Sequence, residues 1–135
     1  MERVIRVIIA DNKWRTRQSL RALLENVQTF TADAEPVRIT VVGDTNNGQE
    51  VLKLVETVIP HVVVMDVTMP GIDGLEATHL IKAHHPGIRV IILTLYDALR
   101  TSAAAAGADV FLVKGCPIEH LIKAIAAYHK EQVAE

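Results

Sequence analysis

Five short runs rich in β-branched residues punctuate this chain: VIRVIIA (4–10), VRITVV (37–42), HVVVM (61–65), VIIL (90–93) and VFLV (110–113). They are apolar almost throughout rather than alternating, the mark of strands buried on both faces. Such strands need a helical layer on each side, so the runs predict a parallel sheet inside an α/β sandwich. The intervening segments supply the helices. Leu20, Leu23, Leu24 and Val27 recur at helical spacing, as do Val51, Leu54, Val55 and Val58, and Ile118, Leu121, Ile122 and Ile125. A third helix over 76–85 packs Ala77, Leu80 and Ile81 and stops before Pro86-Gly87. A fourth over 102–106 ends at Gly107 as its cap, and Pro117 suits the first turn of the fifth. Strand and helix alternate five times, which gives right-handed crossovers and a three-layer (β/α)5 domain spanning 1–135. QTFTADAEP (28–36) reads as a mobile polar loop between the first helix and the second strand. The tail HKEQVAE (129–135) either finishes the last helix or begins a linker.

The chain's 135 residues suffice for one domain with a sizeable core. A formal net charge of −2 gives no global attraction to nucleic acid or anionic lipid. The single cysteine, Cys116, has no internal partner and fits a reducing cytoplasm; no redox role is assigned to it. Glu2, Arg3 and Arg6 interrupt the apolar N-terminus, and no stretch reaches the ~18 apolar residues of a membrane span.

Four strands end in residues with chemical potential: Asp11, Asp66, Thr94 and Lys114 after the first, third, fourth and fifth. Open parallel sheets bind ligands beyond the carboxyl ends of their strands, where strand order reverses. In the flavodoxin-like order 2-1-3-4-5 these strands are neighbours. At about 4.8 Å per strand, Asp11 and Asp66 flank the switch point and Lys114 lies within reach. The second strand sits at the edge, and its Asp44 reads as an ordinary turn residue. Two carboxylates this close repel unless a cation lies between them. Mg²⁺ suits the pair, since it takes one or two carboxylates together with waters and phosphate oxygens. An ammonium and a hydroxyl on the other flank complete a pocket for a tetrahedral dianion, and carboxylates can serve as phosphorylated nucleophiles.

With these residues in place, VVVMDVTMPGIDGLEAT (62–78), RQSLRALLE (17–25) and GADVFLVKG (107–115) resemble the receiver domain of two-component response regulators, in wording closest to NarL/LuxR-type receivers. The resemblance implies that Asp66 takes a phosphoryl group from a phosphohistidine of a sensor histidine kinase. It implies that Asp11, Asp66 and the Thr68 backbone carbonyl hold Mg²⁺. Thr94 would hydrogen-bond the phosphoryl group and move toward it, Lys114 would pair with its charge, and Phe111 matches the aromatic switch position. Thr68 and Tyr96 occupy positions that tune the lifetime of the phosphorylated state in such domains. These receivers often pair as homodimers through the fourth helix, fifth strand and fifth helix. They reach DNA through an output domain that this sequence lacks, so the chain reads as a stand-alone receiver or the input part of a longer transcriptional regulator.

Two departures qualify the resemblance. The usual acidic pair after the first strand is here Asp11-Asn12. A unit-charge pair at 4 Å is worth about 1 kcal/mol in water and about 4 kcal/mol at an effective dielectric of 20. Weaker Mg²⁺ binding and slower phosphorylation follow, with the Asn12 amide oxygen as a weak ligand; its bland alternative is a helix N-cap. The second departure is Lys114-Gly115, where many receivers carry Lys-Pro, so no cis peptide is expected. The alternative function is a pseudo-receiver, an interaction module independent of phosphorylation. A haloacid dehalogenase-type phosphatase would want an Asp where Thr68 stands, and a flavodoxin would want a phosphate loop in place of DNKWR. His84-His85 read as a solvated helix end rather than a metal site, and His61 as exposed at a strand edge. Arg15, Arg17 and Arg21 form either a docking face for an acidic partner or a plain solvated one. Trp14 is expected near the pocket rim.

Overall fold

A computed structural model describes residues 2–129. Its strands are β1 (Arg3–Ala10), β2 (Thr29–Phe30), β3 (Pro36–Thr45), β4 (Val62–Met65), β5 (Arg89–Thr94) and β6 (Val110–Val113). Its helices are α1 (Trp14–Glu25), α2 (Gly48–Val58), α3 (Gly74–His84), α4 (Arg100–Ala106) and α5 (Ile118–Ala126), with a 3-10 turn over Asp97–Leu99 leading into α4. The sheet runs β2-β3-β1-β4-β5-β6. Without β2, this is the 2-1-3-4-5 order expected for the five apolar runs, and those five pair in parallel.

The added strand corrects the reading of 28–36 as a loop. Thr29 and Phe30 pair antiparallel with Val37 and Pro36. The connecting turn is closed by the Thr31 N–H on Glu35 O at 2.8 Å and the Ala34 N–H on Thr31 O at 2.9 Å, with Ala34 at φ 63°. Two residues carry no periodicity, so the hairpin is invisible to a pattern reading.

The continuous apolar runs are explained by the two faces they cover. In β4, Val62 and Val64 join Leu24, Leu121 and Ile125 beneath α1 and α5, while Val63 and Met65 join Val51, Ala77 and Ile81 beneath α2 and α3. Ala103 of α4 is buried on the second face, where a small side chain lets this short helix sit close to the sheet. Gly107 caps α4 at φ 101°, a conformation that suits glycine. Pro117 stands one residue ahead of α5, at its N-cap rather than inside its first turn. Leu23, expected on the packed face of α1, is largely exposed.

One irregularity positions the site. Between Val7 and Ile8 the β1–β3 register slips, so Val7 faces Val41 but Ile8 faces Gly43. The extra residue reverses the alternation of the rest of β3. Asp44 therefore lies beside Ile9, on the α1 side of the sheet. Among the described residues no helix is long and apolar enough to cross a membrane. Residues 130–135 of the tail lie outside the described residues.

Candidate functional site

Asp66 follows directly on β4, whose main chain is completed by its N–H on Ala10 O at 2.9 Å. The residue is 6% exposed, a costly place for a carboxylate unless both oxygens are satisfied. Both are. Oδ1 accepts the Val67 N–H at 2.8 Å, and Oδ2 accepts the Lys114 ammonium at 3.0 Å. The following turn is held against Asp66 by Gly74: its N–H bonds Val67 O at 2.8 Å, and a Cβ there would stand 2.0 Å from Asp66 O. Only glycine permits that approach. Asp73 then caps α3 through the Glu76 N–H at 2.9 Å.

Asp11 lies just past β1 and is 2% exposed. Its Oδ1 accepts the Lys13 N–H at 2.9 Å and its Oδ2 lies 2.7 Å from the Lys114 ammonium. One ammonium thus bridges the two carboxylates. Lys114 reaches them from the end of β6, where its N–H bonds Thr94 O at 2.7 Å. Burial alone would lower the pKa of Lys114, but its hydrogen bonds and charge pairing with Asp11 and Asp66 outweigh that and hold it above the ordinary value. Lys114 therefore stays charged, and the mouth keeps a surplus of one negative charge.

Thr94 is the last residue of β5 and is fully buried; its hydroxyl oxygen accepts the Tyr96 N–H at 3.4 Å. Since Met65 pairs with Ile92, continuing the register puts Asp66 level with Leu93 and Thr94 one residue further out. The four strand-end residues are thereby brought to one mouth. Thr68 is exposed in the loop after Asp66, and Phe111 is half-buried in β6 under Arg100. Trp14 opens α1 and is exposed. Gly115 takes φ 97°, which explains the departure from Lys-Pro: a proline, fixed near −65°, cannot occupy that conformation.

Several expectations are corrected. Asn12 is exposed and is not the N-cap of α1; Lys13 holds that place without a side-chain cap bond. Asp44 is not a turn residue. It lies within β3, with Oδ1 on Arg17 Nε at 3.1 Å and Oδ2 on Arg21 Nη2 at 2.9 Å. Those two arginines are thus engaged within the fold rather than forming a free basic face. His61 is not exposed at an edge: its Nδ1 accepts the Arg6 N–H at 3.0 Å and its ring stacks on Tyr128, centroids 4.9 Å apart. His85 pairs with Glu56 at 2.5 Å. Among the described residues no group of three or more His, Cys, Asp or Glu forms a metal cluster.

Comparison with known proteins agrees with this geometry. Residues 7–126 match the response regulator receiver domain family. The response regulator GacA of Pseudomonas aeruginosa is 33% identical over 124 residues, covering 90% of this chain and 54% of that protein. The chain spans about half the length of the curated relatives it matches. A LuxR-family DNA-binding response regulator from Staphylococcus aureus is similar in structure, with TM-score 0.76 and 30% identity over 90% of this chain and 95% of that one. RcsB from Salmonella enterica serovar Typhimurium, solved bound to promoter rprA in the presence of phosphomimetic BeF3-, has TM-score 0.75 and 26% identity over 91% and 66% of the two chains. Sheet order, strand-end carboxylates and sequence match together make this chain a member of the response regulator receiver domain family, whose members are signalling phosphoacceptors rather than enzymes.

Proposed function

We propose that Asp66 accepts a phosphoryl group from the phosphohistidine of a sensor histidine kinase, and that the resulting charge switches a partner-binding surface. The carrying observation is the single ammonium of Lys114 shared by Asp11 and Asp66. An Asp66 carboxylate oxygen attacks phosphorus, the bond from phosphorus to the imidazole nitrogen breaks, and the imidazole keeps that electron pair. Lys114 then pairs with the new phosphoryl oxygens, and the Thr94 hydroxyl, freed from the Tyr96 N–H, donates to one of them. Hydrolysis by water returns the carboxylate and releases phosphate.

The donor set fits Mg²⁺: the Asp11 and Asp66 carboxylates, the Thr68 carbonyl and, weakly, the Asn12 amide oxygen are all hard oxygen ligands around surplus negative charge. The ion, when bound, neutralises charge on the transferring phosphoryl group. Asn12 in place of an acid makes that binding weaker than with an acidic pair.

Movement of Thr94 makes room for Phe111 to turn inward, which remodels the surface of α4, β6 and α5 and with it homodimer pairing. We further propose that this chain is the input part of a DNA-binding transcriptional regulator. Support comes from relatives about twice its length and from one solved on promoter DNA.

Incubation with Mg²⁺ and a small phosphodonor, followed by intact-mass measurement, tests the reading. A gain of about 80 Da is expected, the mass of one phosphoryl group, and Asp66→Asn abolishes it. No adduct under conditions that label a control receiver sinks the proposal. The second reading, a pseudo-receiver, is favoured by Asn12 and by a Lys114 ammonium that already bridges both carboxylates. Trp14 fluorescence that stays flat as Mg²⁺ is raised would support it.

A further inference from the structure

The phosphoacceptor reading leaves one half-buried cation near the mouth without a role. The Arg17 side chain is 12% exposed and sits in the second turn of α1. Its Nη1 donates to the main-chain carbonyl of Asp11 at 2.8 Å, and its Nε donates to Asp44 at 3.1 Å. Arg21 holds the other Asp44 oxygen at 2.9 Å and reaches Val41 O at 3.4 Å, so its bonds end on β3. Asp44 is available to both only because the slip between Val7 and Ile8 turns it to the α1 side of the sheet.

Asp11 is consequently gripped from two directions. Its N–H donates to Thr45 O of β3 at 3.0 Å, and its carbonyl accepts Arg17, which is itself anchored on β3 through Asp44. Thus β1, β3 and α1 meet at one residue, the residue whose carboxylate faces Lys114. Because Asn12 replaces the neighbouring acid, the charge this strand end offers a cation rests on Asp11 alone.

We propose that Arg17, anchored by Asp44, is a positioning residue that fixes the Asp11 carboxylate for a divalent cation; this rests on the site reading above. Removing Arg17 has two effects of opposite sign. Deleting a positive charge near the mouth favours a bound cation, whereas loosening Asp11 disfavours it. Groups that orient a ligand residue without touching the metal are worth about tenfold or more in affinity. Arg21→Ala deletes an equal charge from the same Asp44 and spares the bond to Asp11, so it isolates the electrostatic effect.

The test is an amide NMR titration of the intact chain with Mg²⁺, together with hydrogen exchange at the Lys13 amide in the absence of metal. That amide reports directly on the carboxylate, because it donates to Asp11 Oδ1. Arg17→Ala should raise the Mg²⁺ dissociation constant about tenfold and speed Lys13 exchange, whereas Arg21→Ala should do neither. Arg17→Lys keeps charge and stem but offers one nitrogen where the planar fork set Nε and Nη1 on two separate acceptors, so it should also bind Mg²⁺ more weakly; it carries the comparison where the alanine variant does not fold. Arg17 variants indistinguishable from Arg21→Ala, in a background where wild type binds Mg²⁺, overturn this proposal and leave the site reading standing. Wild type without any Mg²⁺ response overturns both.

Discussion

The guanidinium of Arg100 lies over the face of Phe111, 4.6 Å from the ring centroid, and its Nη2 pairs with Asp97 at 3.1 Å. The contact joins the first residue of α4 to the strand that delivers Lys114. A cation over an aromatic face at such a site is worth about 0.5–1 kcal/mol. In the proposed switch the ring leaves the guanidinium as it turns inward, so Arg100→Ala removes a brake. The inward population and the rate of phosphodonor labelling should rise by about two- to fivefold. Ring resonances of Phe111 and labelling time courses would show it; neither moving would exclude Phe111 from the switch.

Asn12→Asp should act with opposite signs on the free and the metal-bound protein. Without Mg²⁺ it crowds another carboxylate beside the buried Asp11, lowering stability by about 1 kcal/mol. With Mg²⁺ it adds a charged ligand, and the dissociation constant should fall about tenfold or more. Paired urea melts, with chelator and with saturating Mg²⁺, check both halves.

Acid should weaken the far end of the sheet through His61. Burial, then the charges of Arg6 and Arg3, hold its pKa below the ordinary 6.5. The folded state therefore prefers the neutral ring, whose Nδ1 lone pair receives the Arg6 N–H. That contribution is present above the unfolded pKa and is lost as pH falls through the lower folded value. Urea midpoints should drop as pH falls below about 6.5 and level off once it passes the lower folded value. His61→Phe keeps a ring against Tyr128 but has no acceptor, so it should be less stable at neutral pH and lose most of that acid-dependent drop.

Ile59 closes α2 at φ 47°, in the left-handed region that branched side chains avoid, and it is 67% exposed. Its replacement gives up little burial. Ile59→Gly should raise stability by about 0.5–1 kcal/mol, the left-handed penalty relieved less the added chain entropy of glycine. A chemical melt showing a loss instead would mean that the side chain packs more than its exposure indicates.

Much of the architecture was legible because burial writes itself into composition. Val62, Val63, Val64 and Met65 are apolar in succession since successive side chains enter opposite cores, and that pattern required helices on both faces. Asp11, Asp66, Thr94 and Lys114 were legible as a set because each follows or ends a strand, and parallel strands present those ends together. The hairpin at Thr29–Phe30 was not legible, being too short for any period and closed by main-chain bonds that any residues can make.

The apolar runs by themselves thus determined the layers and which residues end the strands; the order 2-1-3-4-5 that sets those ends side by side was an expectation that strand pairing bore out. Which way Asp44 points was decided only in three dimensions. One unpaired residue in β3 reverses a two-residue alternation, and although Gly43 stands at the slip, a lone glycine in a strand does not say which neighbour is left unpaired. The slip brings Asp44 to Arg17 and Arg21, and Arg17 in turn holds the Asp11 carbonyl. The same holds for Asn12, whose side chain suggested a cap: the helix begins one residue later, with Lys13 at its N-cap and the Lys13 amide on the Asp11 carboxylate.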